Sequence, residues 1–163
     1  MKLLFLHGLE SGPRGSKCQA LEQVFGEVLA PDCSGIADEQ QRLAVIRRQI
    51  SGATLPFLVV GSSMGGLLAL LLHQALPQAV AGLVLCAPAL HRDAANTLDL
   101  DSLPPTRVIH GRADRVVPLA VSYPFGDRLL VVDDDHRLGN SLPVILQAVF
   151  DLKLELAGLL RKP

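Results

Sequence analysis

The sequence predicts an α/β fold, namely a three-layer α/β/α sandwich with a mostly parallel sheet of about six strands. Short continuous apolar runs, typical of parallel strands buried on both faces, alternate with stretches that have helical periodicity. Polar residues directly follow several of these runs, and a parallel sheet would gather them at one edge. At 163 residues the chain is long enough for one core, so we expect a single domain over residues 1–163 without a cap insertion.

The first half of the chain alternates strands and helices. Residues 3–6 and 28–30 are apolar and predict strands, and a helix is expected between them from residue 17. Its buried stripe is predicted at Leu21, Val24, Phe25 and Val28. Asp38 is placed to cap the next helix, which has an apolar face at Leu43, Ile46 and Ile50. We expect the arginines of this helix, Arg42, Arg47 and Arg48, to face water.

The second half repeats the alternation. Apolar runs at residues 57–60, 81–86 and 129–132 predict three strands, and a fourth is expected at residues 107–110. A helix is expected over residues 67–76. The polar connector of residues 91–106 is too short for a lid domain. A terminal helix is predicted to begin at Asn140 or Ser141, with Pro143 just inside it. Its apolar face is expected at Leu146, Val149, Phe150 and Leu156.

The turn between the third predicted strand and its helix reads Gly61-Ser62-Ser63-Met64-Gly65. This G-x-S-x-G pattern permits a sharp turn from strand to helix, since only small flanking residues let the two elements come so close. The turn would present the Ser63 hydroxyl at a helix N-terminus, where backbone N–H groups and the helix dipole favour a developing oxyanion. Ser63 is therefore the candidate nucleophile, although a serine between glycines can also be an ordinary turn residue.

A serine nucleophile needs a base and a group that orients the base. Asp114 follows the strand at residues 107–110, and His136 follows the strand at residues 129–132, so the chain order is Ser, Asp, His. A turn-capping role is the alternative for Asp114. Asp133, Asp134 and Asp135 compete with it as the acid, but they immediately precede His136 and are interpreted as a solvated charge run.

Composition argues against several other classes of protein. The net charge is −1 and the basic residues form no stripe, so nucleic acid is not expected as a partner. Three cysteines without a C-x-x-C pair predict reduced thiols and no metal site. Residues 8–17 are glycine-rich but do not match the spacing of a phosphate-binding loop. No apolar run reaches the roughly 20 residues of a membrane span, so a soluble cytoplasmic protein is expected.

The motifs together resemble the α/β-hydrolase superfamily, in which G-x-S-x-G precedes an acid and then a histidine. Residues 6–9, Leu-His-Gly-Leu, look like its oxyanion loop, and residues 110–118 look like its HG-x-x-D-x-x-V-P acid loop. Residues 6–17 also resemble the small lidless bacterial esterases of the YqiA type. The chain departs from the family in beginning at what would be the third strand and in having no cap insertion.

The resemblance implies a minimal α/β-hydrolase fold and a role for each motif residue. Ser63 would be the nucleophile, His136 the general base and acid, and Asp114 the group that fixes the imidazole tautomer. The backbone N–H groups of Leu9 and Met64 would form the oxyanion hole, and no cofactor would be needed.

The expected function is that of a serine esterase acting on small-molecule acyl esters of short to medium chain length through an acyl-enzyme intermediate. A thioesterase or peptidase on the same triad is the alternative within enzymes. From another class, the chain could be a catalytically weak hydrolase-like interaction module, since a fold alone does not prove activity. The sequence leaves the natural substrate and the oligomeric state open.

Overall fold

The computed structural model describes residues 1–159, which contain one six-stranded sheet in the order β2-β1-β3-β4-β5-β6. All of the pairings between neighbouring strands of this sheet are parallel. The strands are β1 Lys2–Leu6, β2 Val28–Leu29, β3 Phe57–Ser62, β4 Val80–Cys86, β5 Thr106–Gly111 and β6 Leu129–Val132. The predicted α/β class with its parallel sheet is thus confirmed.

Four α-helices and four 3-10 helices connect the strands in the described part of the chain. The α-helices are α1 Ser16–Phe25, α2 Glu39–Ile50, α3 Met64–Ala75 and α4 Leu142–Leu159. The 3-10 helices are Pro77–Ala79, Asp93–Thr97, Leu119–Arg128 and Gly139–Ser141. Asp38 caps α2 as predicted, because its side chain accepts a hydrogen bond of 2.8 Å from the Gln41 N–H.

The helices cover both faces of the sheet, which produces the three layers. Successive strand residues point to opposite faces, so Val59 packs with α2 and α3 whereas Val60 packs with α1 and α4. Helix α3 is buried along most of its length, and its packing fixes the N-terminus next to the carboxyl ends of β1 and β3. The predicted site residues all follow strands, so they are placed at this edge of the sheet.

Two predicted helix faces need correction. Val24 in α1 is 56% exposed and Phe150 in α4 is 50% exposed. In α4 the buried stripe runs through Ile145, Val149, Leu152 and Leu156. Both helices carry more apolar residues than one face can bury, and the sequence pattern alone did not select the correct stripe.

The length and the hydropathy of a helix decide whether it can cross a membrane. Among residues 1–159, no helix combines the length and the apolar character that a membrane crossing requires.

Candidate active site

The backbone at Ser63 is a sharp, strained turn between β3 and α3. Ser63 has φ 55° and ψ −115°, a region that residues with a side chain rarely adopt. The flanking glycines are needed for close packing. A Cβ on Gly65 would fall on the carbonyl oxygen of Leu6, and one on Gly61 would collide with the Gly65 carbonyl. The predicted turn chemistry is therefore confirmed, and it leaves the Ser63 side chain partly exposed at the start of α3.

The structure brings the three side chains proposed from the sequence into one hydrogen-bonded chain. His136 Nε2 lies 3.0 Å from Ser63 Oγ, and His136 Nδ1 lies 2.7 Å from Asp114 Oδ2. When Nδ1–H donates to the carboxylate, Nε2 is left as an acceptor for the Ser63 hydroxyl proton. The arrangement can therefore move a proton from serine to histidine.

Asp114 is held as a buried carboxylate. Its side chain is inaccessible to solvent, and Oδ1 accepts hydrogen bonds of 2.8 Å from the N–H groups of Val116 and Val117. Burial by itself raises the pKa of Asp114, but the hydrogen bonds from His136 and these two N–H groups outweigh it and lower the pKa. Asp114 is thus ionised at neutral pH and faces the imidazole.

His110 packs beside the same carboxylate. Its Nε2 lies 3.1 Å from Asp114 Oδ2 and 3.0 Å from the Val117 carbonyl oxygen. On the other side of the ring, Nδ1 pairs with the Ser122 hydroxyl at 2.8 Å. His110 thus forms hydrogen bonds within the loops at the sheet edge. The ring connects the acid loop to the 3-10 helix Leu119–Arg128.

Of the three aspartates before His136, Asp133 and Asp135 are exposed, as the predicted solvated charge run requires, but Asp134 is buried, contrary to the prediction. Asp134 is only 8% exposed, and its Oδ2 accepts hydrogen bonds from the Asn140 N–H at 2.9 Å and the Ser141 hydroxyl at 2.8 Å. The Ser141 hydrogen bond is the main cause of a lowered pKa for Asp134. The Asp134 backbone carbonyl accepts from the Ala113 N–H, which ties the histidine loop to the acid loop. The sequence did not predict this structural role, because Asp134 lies between two other aspartates.

The predicted oxyanion loop lies against the serine. A Cβ built on Gly8 would be 3.5 Å from Ser63 Cβ, which places the peptide between Gly8 and Leu9 close to the nucleophile. Within residues 1–159, neither the Leu9 N–H nor the Met64 N–H has a hydrogen-bond acceptor. Two unpaired N–H groups near the serine are what an oxyanion would require.

A buried arginine under this loop was missed in the sequence. Arg42 was expected to face water, but its side chain is 0% exposed and donates to backbone carbonyls that include His7 and Gly8. The spacing could have indicated that Arg42 is buried, because it precedes the buried Ile46 by one helical turn and so lies on the same face of α2. The general expectation that arginine is exposed outweighed it.

His7 supports the loop from the other side. Its Nδ1 pairs with the Gly8 carbonyl at 2.8 Å, and its Nε2 accepts from the Cys33 N–H at 2.9 Å. Burial is the largest cause of the lowered pKa of His7, which fits a neutral ring with one donor and one acceptor nitrogen. His7 thus fixes the loop through hydrogen bonds from both ring nitrogens.

Two surface grooves of about 490 and 450 Å³ lie away from this site. One is lined by residues that include Met1, Pro56 and Ala81, at the amino ends of the strands, and the other by Arg47, Leu55 and Ala79. Neither includes a residue of the hydrogen-bonded chain. Side-chain chemistry, and not groove volume, therefore locates the candidate site.

Comparison with known proteins adds a family match. Residues 34–104 match the family model described as serine aminopeptidase, S33. The matched range contains Ser63 and ends before Asp114. No curated protein sequence matches the chain significantly.

Solved structures match over nearly the whole chain. A protein from Xanthomonas campestris pv. campestris assigned to the α/β-hydrolase superfamily is 26% identical, with a TM-score of 0.77 over 94% of this chain and 98% of that chain. Est1E from Butyrivibrio proteoclasticus is 18% identical, with a TM-score of 0.78 over 96% of this chain and 88% of that chain. Mouse α/β-hydrolase domain-containing protein 10 is 20% identical, with a TM-score of 0.77 over 95% and 90%.

Est1E and the mouse protein are only 18% and 20% identical to this chain, so their similarity supports its fold alone. The parallel sheet, the family match through the serine turn and the end-to-end similarity to the Xanthomonas protein together show that this chain is a hydrolase of the α/β-hydrolase superfamily.

Proposed function

We propose that the chain is a serine hydrolase that cleaves short to medium carboxyl esters through an acyl-enzyme intermediate. The hydrogen-bonded chain from Ser63 through His136 to Asp114 carries the proposal. Nucleophile, base and orienting group are within hydrogen-bond distance of one another, as acyl transfer requires. In this proposal the three residues form a catalytic triad.

The acylation step follows from the geometry. Ser63 Oγ attacks the ester carbonyl carbon while His136 Nε2 takes the hydroxyl proton, and the Asp114 carboxylate stabilises the imidazolium. The carbonyl oxygen becomes an oxyanion and accepts hydrogen bonds from the N–H groups of Leu9 and Met64. One such donor typically contributes about 3 kcal/mol to the stability of the transition state. The C–O bond then breaks, and the alcohol leaves with the proton from His136.

Deacylation repeats the sequence with water. His136 Nε2 takes a proton from a water molecule, whose oxygen attacks the acyl carbon of the Ser63 ester. Collapse of the second tetrahedral intermediate breaks the bond to Ser63 Oγ, which recovers its proton from His136. The products are a carboxylic acid and the original enzyme. These steps are supplied by side chains and backbone N–H groups of the chain itself.

An open site supports a preference for small acyl groups. The His136 side chain is 20% exposed, and the segment between β4 and β5 contributes the partly buried Leu98, Leu100 and Leu103 to the core. The segment of residues 91–105 thus packs against the core instead of forming a cap over the site, which supports the expectation of a single domain without a cap. A site without a cap offers limited apolar surface to a long acyl chain.

The experiment that tests this function is a pre-steady-state measurement with p-nitrophenyl acetate and butyrate. The expected result is a burst of about one p-nitrophenolate per enzyme, followed by slower turnover, and loss of both phases in Ser63→Ala. Equal turnover by Ser63→Ala would exclude the proposal. Methyl ferulate belongs in the same panel, because one structure of Est1E is described as holding ferulic acid.

Amide hydrolysis is a second candidate, favoured by the match to the serine aminopeptidase family. Amino-acid p-nitroanilides separate the two, since ester and amide substrates share the acyl-enzyme but differ in the leaving group. An esterase should turn over the ester far faster than the matched anilide. Acyl-coenzyme A thioesters complete the comparison and test thioesterase activity.

A cytoplasmic location is part of the proposal. All three cysteines are free thiols in the structure, which is the usual state of cysteines in a reducing compartment.

A further inference from the structure

Arg42 is a buried cation without an anionic partner among the described residues. Its guanidinium is inaccessible to solvent, and each of its hydrogen bonds goes to a backbone carbonyl. The nearest acidic residue on its helix, Glu39, is instead paired with Arg92. Burying an unpaired charge costs several kcal/mol, so its position calls for an explanation beyond packing.

Two of the three carbonyls that Arg42 contacts belong to the loop beside the nucleophile. Nη1 donates to the His7 and Gly8 carbonyl oxygens at 3.3 and 3.2 Å, and Nε donates to Ile36 O at 2.6 Å. The Gly8 carbonyl also pairs with His7 Nδ1 at 2.8 Å. The Gly8 N–H donates to Ser11 Oγ at 3.1 Å, so both polar backbone groups of Gly8 are held in place.

Peptide geometry connects the Gly8 carbonyl to the Leu9 N–H. The two groups belong to one planar trans unit, in which C=O and N–H point in opposite directions. Fixing the carbonyl toward Arg42 therefore fixes the N–H on the opposite side of the loop. Hydrogen bonding of the carbonyl to a cation also polarises the peptide unit, which strengthens its N–H as a donor.

We propose that Arg42 is a positioning residue of the acyl-transfer site, whose guanidinium holds the His7 and Gly8 carbonyls and thereby aims the Leu9 N–H at the oxyanion. The inference rests on the proposed function, because an oxyanion forms only if Ser63 attacks an acyl carbon. It predicts that Arg42 acts on the transition state more than on substrate binding, since the Leu9 N–H contacts the oxygen most strongly after charge has developed.

The test compares Arg42→Met and Arg42→Lys with Arg48→Met, a control that removes an exposed arginine from the same helix. The substrate is p-nitrophenyl acetate, and kcat and KM are measured separately on variants shown by circular dichroism to be folded. Arg42→Met should lower kcat by roughly tenfold to a hundredfold with KM changed less than about threefold. The control should match the wild type.

A second readout isolates the oxyanion. An aryl trifluoromethyl ketone adds to the serine and forms a stable tetrahedral oxyanion, so its inhibition constant should weaken in Arg42→Met in proportion to kcat. Arg42→Lys retains the charge but not the planar pair of donors, and should recover only part of the loss. A role limited to stability would lower the melting temperature and leave both readouts unchanged.

The outcomes separate this inference from the proposed function. If the wild type shows no burst and no inhibition, the proposed function has failed. If the wild type is active and Arg42→Met has unchanged kcat and inhibition, only the role of Arg42 is refuted. Failure of both Arg42 variants to fold would assign Arg42 a structural role and would also overturn the inference.

Discussion

The strained backbone at Ser63 predicts that activity and stability conflict at this position. With φ 55° and ψ −115°, Ser63 occupies a conformation that costs a non-glycine residue roughly 1–3 kcal/mol. Glycine adopts positive φ without this strain but loses about 0.5–1 kcal/mol through its freedom in the unfolded chain. Taken at their midpoints, the two terms favour Ser63→Gly over Ser63→Ala by about 1 kcal/mol.

Comparing the two variants removes the other contributions. Both lose the hydrogen bond between Ser63 Oγ and His136 Nε2, and both are expected to be inactive, so the backbone term is the main difference between them. In a domain of this size about 1 kcal/mol corresponds to roughly 2–4 °C in melting temperature. Urea denaturation provides the free energies, and differential scanning calorimetry the melting temperatures. Ser63→Gly melting at or below Ser63→Ala would refute the strain argument.

Three further predictions concern Asp114, Asp134 and the cysteines. Asp114→Asn should lower kcat on the order of 10³–10⁴-fold, because the amide no longer favours the productive imidazole tautomer of His136; activity within tenfold of wild type would contradict this. Since the folded-state pKa of Asp134 is lowered, chiefly by the Ser141 hydroxyl, its ionised form stabilises the fold above about pH 4, and this stabilisation is lost as the pH falls through the folded-state pKa. The melting-temperature gap between wild type and Asp134→Asn should therefore narrow in acid, and a gap independent of pH from 3 to 7 would be the contrary result. Burial raises the pKa of Cys86 to about 11, and the other two cysteines are also buried, so Ellman's reagent should find no reactive thiol in the native protein and three after unfolding.

The strands were predictable from the sequence, and so was the position of each candidate residue after a strand. Continuous apolar runs such as Phe57–Val60 have few alternatives to a strand buried on both faces, and each boundary falls within about two residues of its prediction. Ser63, Asp114 and His136 could be selected as candidates because each follows a strand, and parallel strands bring such positions to one edge. Local pattern and sheet topology thus agree at these residues.

The errors near the candidate site concern charged residues that become buried. Arg42 and Asp134 were expected in solvent because isolated charges seldom enter a core. Their partners are backbone groups and a hydroxyl supplied by loops distant in sequence, such as the Gly8 carbonyl for Arg42. No periodicity within a helix or a run of aspartates reveals those partners, since tertiary packing creates them. Because these two side chains were predicted to be exposed, their role in holding the loops of the site was not predicted.

The most direct test of the account is the covalent state of the enzyme after reaction with a fluorophosphonate. Intact mass spectrometry should show one added phosphonyl group per chain, and peptide mapping should place it on Ser63. Labelling should fall at least a hundredfold in His136→Ala, since the base that removes the hydroxyl proton is then missing. An unlabelled wild-type protein, or an adduct on another residue, would contradict the claim that Ser63 is an activated nucleophile.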